Sequence, residues 1–355
     1  MRASVATCLI AWALSLAGCA ASSESSQPES ADGNGQGAGS LSTPLTNPAQ
    51  DDEKSADAAD LDEVRTVHHY VPVGRDRTVH VVQKFTKRCT RLRDRRSVLL
   101  LPGTIVKAGF YDIDVDGYRF QTDLAKAGYN TFATDYEGSG GSSYPDDGHD
   151  VTHRFLVEES RRVLEAVRSI GGAPRVDVLG ESNGGAVASE LCDDARRARS
   201  CVLSSMIYRT GTPMFYSVFL DPAFLAFIDG QPQGYMNTTA DQYFNIVPRS
   251  PQAVRDQILA TQPGKYAVGT MLAPVNGLPW FDPTHARVPA LIIQGTVDNT
   301  AEQSDADDLR ASYGSRGGGV AKLVRIEGAN HIPRIEDPAY AAQWKNYVFE
   351  FLKTH

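Results

Sequence analysis

The stretch Val176-Asp177-Val178-Leu179-Gly180-Glu181-Ser182-Asn183-Gly184-Gly185 decides how the chain is read. An apolar strand pattern runs into Gly180-x-Ser182-x-Gly184, and an alanine-containing helical pattern starts at Ala186. A turn this tight leaves no room for side chains two positions before or after the serine, so glycine is a steric need at 180 and 184. It lifts the serine oxygen clear of the sheet and aims the positive end of the next helix at it. The bare spacing occurs often by chance. Its place between an apolar strand and a helix makes it informative.

Outward from this stretch, short apolar runs bounded by Gly or Pro recur at Ser97–Leu101, Asn130–Asp135, Val202–Ser205, Ala290–Gln294 and Ala321–Ile326. They show little alternation, which suits strands buried on both faces. Thr66–Val73 and Thr78–Phe85 are joined by Gly74-Arg75-Asp76 and predict a hairpin. Helical patterns fall between the strands at Phe155–Ile170, Ala186–Arg197, Glu302–Tyr313 and Pro338–Leu352. The alternation predicts an α/β fold with a mostly parallel central sheet flanked by helices. Functional groups should then lie at the carboxyl ends of the strands. From Met206 to Arg287 no buried strand is evident, and aromatic residues crowd between Tyr208 and Phe244. This predicts a helical cap, about residues 207–288, inserted after the sixth strand.

A serine hydroxyl is a weak nucleophile and needs a base, itself oriented by an acid. Among eight histidines, His331 stands in Glu327-Gly328-Ala329-Asn330-His331, on a loop just after the last strand. Asp298 follows the penultimate strand in Gly295-Thr296-Val297-Asp298-Asn299. Ser182, Asp298 and His331 thus follow one another along the chain, each just after a strand pattern.

With these residues in view, 63–355 resembles the α/β-hydrolase superfamily, least so in the cap. Leu101-Pro102-Gly103-Thr104 looks like its oxyanion loop, with Pro102 where a histidine is usual. Asp135-Tyr136-Glu137-Gly138-Ser139-Gly140-Gly141-Ser142-Ser143 looks like its turn after the fourth strand, and Pro289–Asp298 like its P-x-L-I-I-x-G-x-x-D segment. The resemblance implies a Ser182–His331–Asp298 triad, with backbone N–H groups of Thr104 and Asn183 (Ile105 as the substitute for Thr104) as oxyanion donors. It implies a carboxylesterase or lipase acting on a small ester, apolar or aryl given the aromatic cap, with no cofactor and no metal. A serine nucleophile argues against the dehalogenase and epoxide hydrolase branches. Peptidases, amidases and acyltransferases of the superfamily share the triad and stay open, as do lyase or cofactor-free haloperoxidase chemistry. A non-catalytic binding protein on this fold predicts a broken triad, whereas all three residues and both elbow glycines are present.

The N-terminus reads as an address. Arg2, an apolar run from Val5 to Leu16 and Leu16-Ala17-Gly18-Cys19 make a secretory leader. The last four residues resemble the bacterial lipobox, which implies cleavage after residue 18 and a diacylglyceryl group on Cys19. No Asp follows Cys19, so the resemblance favours the outer membrane where the host has one, within a cell-envelope or extracellular location. Residues 19–62 hold no aromatic side chain and are rich in Ser, Gly, Ala and acids, as in a flexible tether. The division expected is a signal peptide over 1–18, an acidic tether over 19–62 and a hydrolase domain over 63–355.

The formal net charge of −8 looks like the mark of an acidic enzyme. Yet Ala20–Asp62 carries nine acids against Lys54, and the leader carries Arg2, which leaves −1 for residues 63–355. The charge belongs to the tether. It says nothing about substrate polarity, and no broad basic surface exists for nucleic acid. A monomer is expected.

Five cysteines are too few for a disulfide scaffold and lack paired zinc-ligand spacing. Cys192 and Cys201, nine residues apart, have a separation compatible with a bridge, and export would allow its oxidation. Cys89 is then a free thiol, and Cys8 lies in the leader. Asp112-x-Asp114-x-Asp116-Gly117 with Asp123 matches the start of a calcium loop, but no helix pattern precedes it, and a polar loop is the reading preferred. His149 and His153, four apart, read as a surface pair.

Overall fold

The computed structural model describes residues 62–87, 96–239, 249–274 and 277–355. Those from Asp62 onward form one unit. Cys8, Cys19, Cys89, Tyr243, Phe244 and the expected leader and most of the tether lie outside the described residues.

Besides the cap strands β7 (Tyr235–Asn237) and β8 (Lys265–Ala267), the strands are β1 (Arg65–Gly74), β2 (Arg77–Phe85), β3 (Ser97–Leu101), β4 (Asn130–Thr134), β5 (Val176–Glu181), β6 (Ala198–Ser204), β9 (Ala290–Gly295) and β10 (Ala321–Ile326). Among the described residues these eight form one sheet in the order β1-β2-β4-β3-β5-β6-β9-β10. β2 is antiparallel to β1 and β4, and every other pairing is parallel. Arg75 and Asp76 turn the β1–β2 hairpin.

The lack of alternation in the strands has a simple cause. Every residue of β3 is fully buried, with Leu99 and Leu101 in one core cluster and Val98 and Leu100 in another on the opposite face. On the first face Leu156, Val163, Leu164 and Val167 of α2 (His153–Gly171) and Val187 and Leu191 of α3 (Asn183–Leu191) pack. On the second lie Phe120 and Leu124 of α1 (Phe120–Lys126) and Trp344, Val348, Phe351 and Leu352 of α8 (Pro338–Thr354). α7 (Gln303–Ser312) links β9 to β10. Thr152 caps α2 by accepting from Phe155 N, and Gly172 ends it at φ 61°.

Two boundaries differ from expectation. α3 stops at Leu191 rather than Arg197, because Asp194 turns the chain: its carboxylate accepts from Arg196 N and its carbonyl from the N–H groups of Arg197 and Ala198. β6 consequently begins at Ala198, and Cys201 lies mid-strand.

The cap holds the short helices α4 (Pro213–Phe219), α5 (Pro222–Asp229) and α6 (Gln252–Thr261). It also contains a two-stranded antiparallel sheet, β7 (Tyr235–Asn237) with β8 (Lys265–Ala267), which the sequence reading missed. Three-residue strands 28 positions apart leave no periodic trace. Among the described residues no helix is long and apolar enough to cross a membrane.

Candidate active site

The turn after β5 has the geometry its glycines predict. A Cβ on Gly180 would collide with the Gly184 carbonyl, and one on Gly184 with the carbonyls of Leu101 and Pro102. Between them Ser182 is held at φ 52°, ψ −123°, a strained conformation for a side chain, with its N–H donating to Ser204 O at 2.9 Å.

His331 and Asp298 meet this serine. His331 Nε2 is 3.1 Å from Ser182 Oγ, and Nδ1 is 3.0 and 3.1 Å from the two oxygens of Asp298. A carboxylate only accepts, so Nδ1 carries the hydrogen and Nε2 is free to accept from the serine hydroxyl. Asp298 Oδ1 also accepts from Thr300 N at 2.8 Å and Ala301 N at 3.1 Å, which holds the carboxylate in place beside the imidazole. His331 and Asp298 are buried and Ser182 is part-exposed.

The surrounding loops are tied by groups the sequence did not single out. Asn330 Oδ1 accepts from Asn299 N and His331 N, both at 2.8 Å, joining the Asp298 and His331 loops. Asn330 N in turn donates to the Glu336 carboxyl at 2.8 and 3.1 Å. Burial pushes that carboxyl up, opposed by its backbone N–H donors and His331. Arg334 makes a buried bidentate pair with Glu181, 2.8 Å at each arm. No spacing in the sequence announces these contacts, because each spans loops that only the fold brings together.

Thr104 and Asn183 line a narrow cleft of about 10 Å³, partly open to solvent. A Cβ on Gly103 would stand 3.3 Å from Glu181 O and 3.4 Å from Ser182 Cβ, so the loop after β3 lies against the Ser182 turn. Ile105, Val106 and Tyr136 add apolar wall, and the cap contributes Tyr266, Ala267 and Thr270. Ala267 N donates to Gly138 O at 3.0 Å, and Gln262 accepts from Lys107 N at 2.8 Å, so the cap is pinned to both sides of the cleft. The turn after β4 is braced by Asp135, which accepts from Ala108 N, Gly141 N and His80 Nδ1 at 2.7–2.9 Å. The aromatic residues expected to surround a substrate do something else. Phe215, Phe219 and Phe224 pack on one another, with centroids 4.7 and 5.7 Å apart, away from this cleft lining.

The expected Cys192–Cys201 bridge is not formed in the structure, although the two side chains interact directly. Cys192 and Cys201 are free, buried thiols. Cys201, drawn into mid-strand by the early start of β6, donates to Ala188 O at 3.6 Å, and burial pushes the Cys192 thiol well up. The aspartates of the calcium-like loop turn to separate partners: Asp112 to Lys84 and Thr122, Asp114 to Arg119, Asp123 to Lys345. Among the described residues no cluster of three or more His, Cys, Asp or Glu could hold a metal. His149 faces Asp147 and Ile228 O, whereas His153 faces Glu190, so the two do not converge.

The alpha/beta hydrolase family model matches residues 98–344. No curated protein matches the chain. Among solved structures, a hydrolase from Pseudomonas aeruginosa PA01 is similar at 18% identity and TM-score 0.58, over 81% of this chain and 98% of that one. A 2-hydroxy-6-oxo-6-phenylhexa-2,4-dienoate hydrolase from Rhodococcus sp. strain RHA1 is similar at 16% identity and TM-score 0.57, over 81% and 100%. Carboxylesterase CesB from Bacillus subtilis is similar at 18% identity and TM-score 0.55, over 85% and 97%. At these identities the likeness is one of fold.

Proposed function

Because the chain belongs to the alpha/beta hydrolase family, we propose that it is a serine hydrolase cleaving a small carboxylic ester through Ser182, His331 and Asp298. The observation that carries this reading is the unbroken chain of hydrogen bonds from the Asp298 carboxylate through the imidazole to Ser182 Oγ. In it His331 Nε2 takes the hydroxyl proton as Oγ attacks the acyl carbonyl. Asp298 stabilises the imidazolium and holds its tautomer. The N–H groups of Thr104 and Asn183 would receive the oxyanion, each such donor being worth about 3 kcal/mol of barrier. The imidazolium then protonates the leaving alcohol, and water, deprotonated by the same nitrogen, releases the acid from Ser182.

The substrate class rests on the cleft. Ile105, Val106, Tyr136, Tyr266 and Ala267 offer apolar surface near the oxyanion donors, which suits an uncharged acyl or aryl group. Carboxylesterase activity is known for one protein of this fold; for this chain it is a proposal. A panel of p-nitrophenyl esters of rising acyl length, run beside an aminoacyl anilide, tests it. Turnover of the shorter esters is expected. Preference for the anilide would make the protein an amidase.

The same proposal extends to export. A diacylglyceryl group on Cys19 would tether the enzyme to the cell envelope through an acidic, solvated linker. Incorporation of labelled fatty acid into the wild-type chain, and its loss in Cys19→Ser, is the result expected in a bacterial host.

A further inference from the structure

Ser182 and His331 come from segments 149 residues apart, and the sheet separates them: Ser182 follows β5, His331 follows β10, and β6 and β9 lie between. The loop after β10 must therefore reach back over two strand ends. Its near end is held by the Asp298 loop, through Val297 N to Ala329 O at 3.0 Å and Asn299 N to Asn330 Oδ1 at 2.8 Å. Its far end meets β5 through Arg334. Nε and Nη2 each donate to Glu181 at 2.8 Å, and Nη1 donates to Phe110 O at 2.8 Å. The guanidinium carbon lies 5.0, 4.8 and 5.9 Å from the ring centroids of Phe110, Tyr111 and Trp344. Glu181 immediately precedes Ser182, and Arg334 follows His331 by three residues.

Both side chains of the pair are 2% exposed. A buried ion pair is a poor source of stability, since desolvation offsets most of the attraction and apolar residues of equal volume often do as well. Its directional value is greater. Two parallel N–H···O bonds fix the fork in a plane, which a lysine cannot reproduce. We infer that Glu181 and Arg334 are positioning residues that set the separation of Ser182 from His331, without touching the reacting atoms. The inference rests on the reading of Ser182 and His331 as nucleophile and base.

The test compares the full chain with Arg334→Lys and with the apolar double variant Glu181→Met/Arg334→Met. Four readouts are taken: Tm, the kcat and KM for a p-nitrophenyl ester, the rate of labelling by a fluorophosphonate, and the downfield proton resonance of His331 Nδ1–H. The double variant should fold with a Tm near or above wild type and an unchanged KM. Its kcat and labelling rate should fall by about 100-fold, the usual effect of a misplacement near 1 Å, and the resonance should shift or broaden. Arg334→Lys keeps the charge and one contact, so a loss of about 10-fold is expected; it decides the matter should the double variant fail to fold. A folded variant with wild-type kcat and an unmoved resonance would overturn the inference. If the wild type itself neither labels nor turns over ester, the hydrolase reading falls. The resonance then decides alone, an unmoved signal refuting positioning and a shifted one supporting it.

Discussion

Asn330 and Asn299 are joined by one hydrogen bond, Asn299 N to Asn330 Oδ1 at 2.8 Å, and the same oxygen accepts from His331 N. One side-chain atom thus fixes the residue after the acid to the residue before the base. Asn330→Ala would strip two N–H groups of their partner, the buried one of His331 at about 1–3 kcal/mol and the part-buried one of Asn299 at less. The expected outcome is a lower Tm together with a kcat loss larger than any change in KM. Thermal unfolding and ester kinetics on the same preparation check it. Equal Tm and kcat in the variant would remove the clamp from the account.

Gly184 has no room for a side chain. Its missing Cβ faces the carbonyls of Leu101 and Pro102, so Gly184→Ala must push the Ser182 turn away from the loop after β3. Overpacking of this kind costs about 1–3 kcal/mol. Gly109→Ala is the control, since its nearest neighbour would be Gln262 Nε2 at 3.6 Å, an ordinary contact. Denaturant midpoints should fall for the first and stay for the second.

How much of this was legible in the sequence depends on how local the cause is. Gly180, Ser182 and Gly184 fall in five consecutive residues, and their steric need is written in those positions. That His331 and Asp298 converge on Ser182 follows from their places at strand ends of a parallel sheet. Glu181–Arg334, Asn330–Asn299 and the docking of Ala267 on Gly138 were not legible, for they join segments distant in the chain with no periodic signal. The Cys192–Cys201 bridge shows the converse failure. A short separation suggested a bond, and the fold does bring the two side chains together, but as buried thiols.

Those thiols yield a prediction of their own. Both are buried, and burial raises the Cys192 thiol, so little thiolate is available for attack. Mapped by mass spectrometry, Cys192 and Cys201 should resist iodoacetamide in the native protein and react fully in denaturant. Reductant should leave Tm unchanged. A linked Cys192–Cys201 peptide would contradict the structure.

Glu159 on α2 is buried beside Glu137, whose N–H it accepts at 3.3 Å. Burial and then the Glu137 carboxylate push its carboxyl well above the ordinary 4.5, and burial also raises Glu137, against Arg77. A raised folded value means the fold favours the protonated acid. That contribution is complete below 4.5 and is lost as pH climbs through the raised value. Glu159→Gln should therefore match the wild-type Tm under acid conditions and exceed it at about pH 8. A Tm difference independent of pH would rule this out.

The central claim is that Ser182 is a nucleophile activated by His331. Fluorophosphonate labelling of the folded protein, with the modified residue located by peptide mass spectrometry, tests it most directly. The account predicts a single adduct on Ser182, absent in Ser182→Ala and strongly slowed in His331→Ala, with both variants still folded. A folded wild-type protein that never labels, or a Ser182→Ala variant that keeps turning over ester, would contradict it.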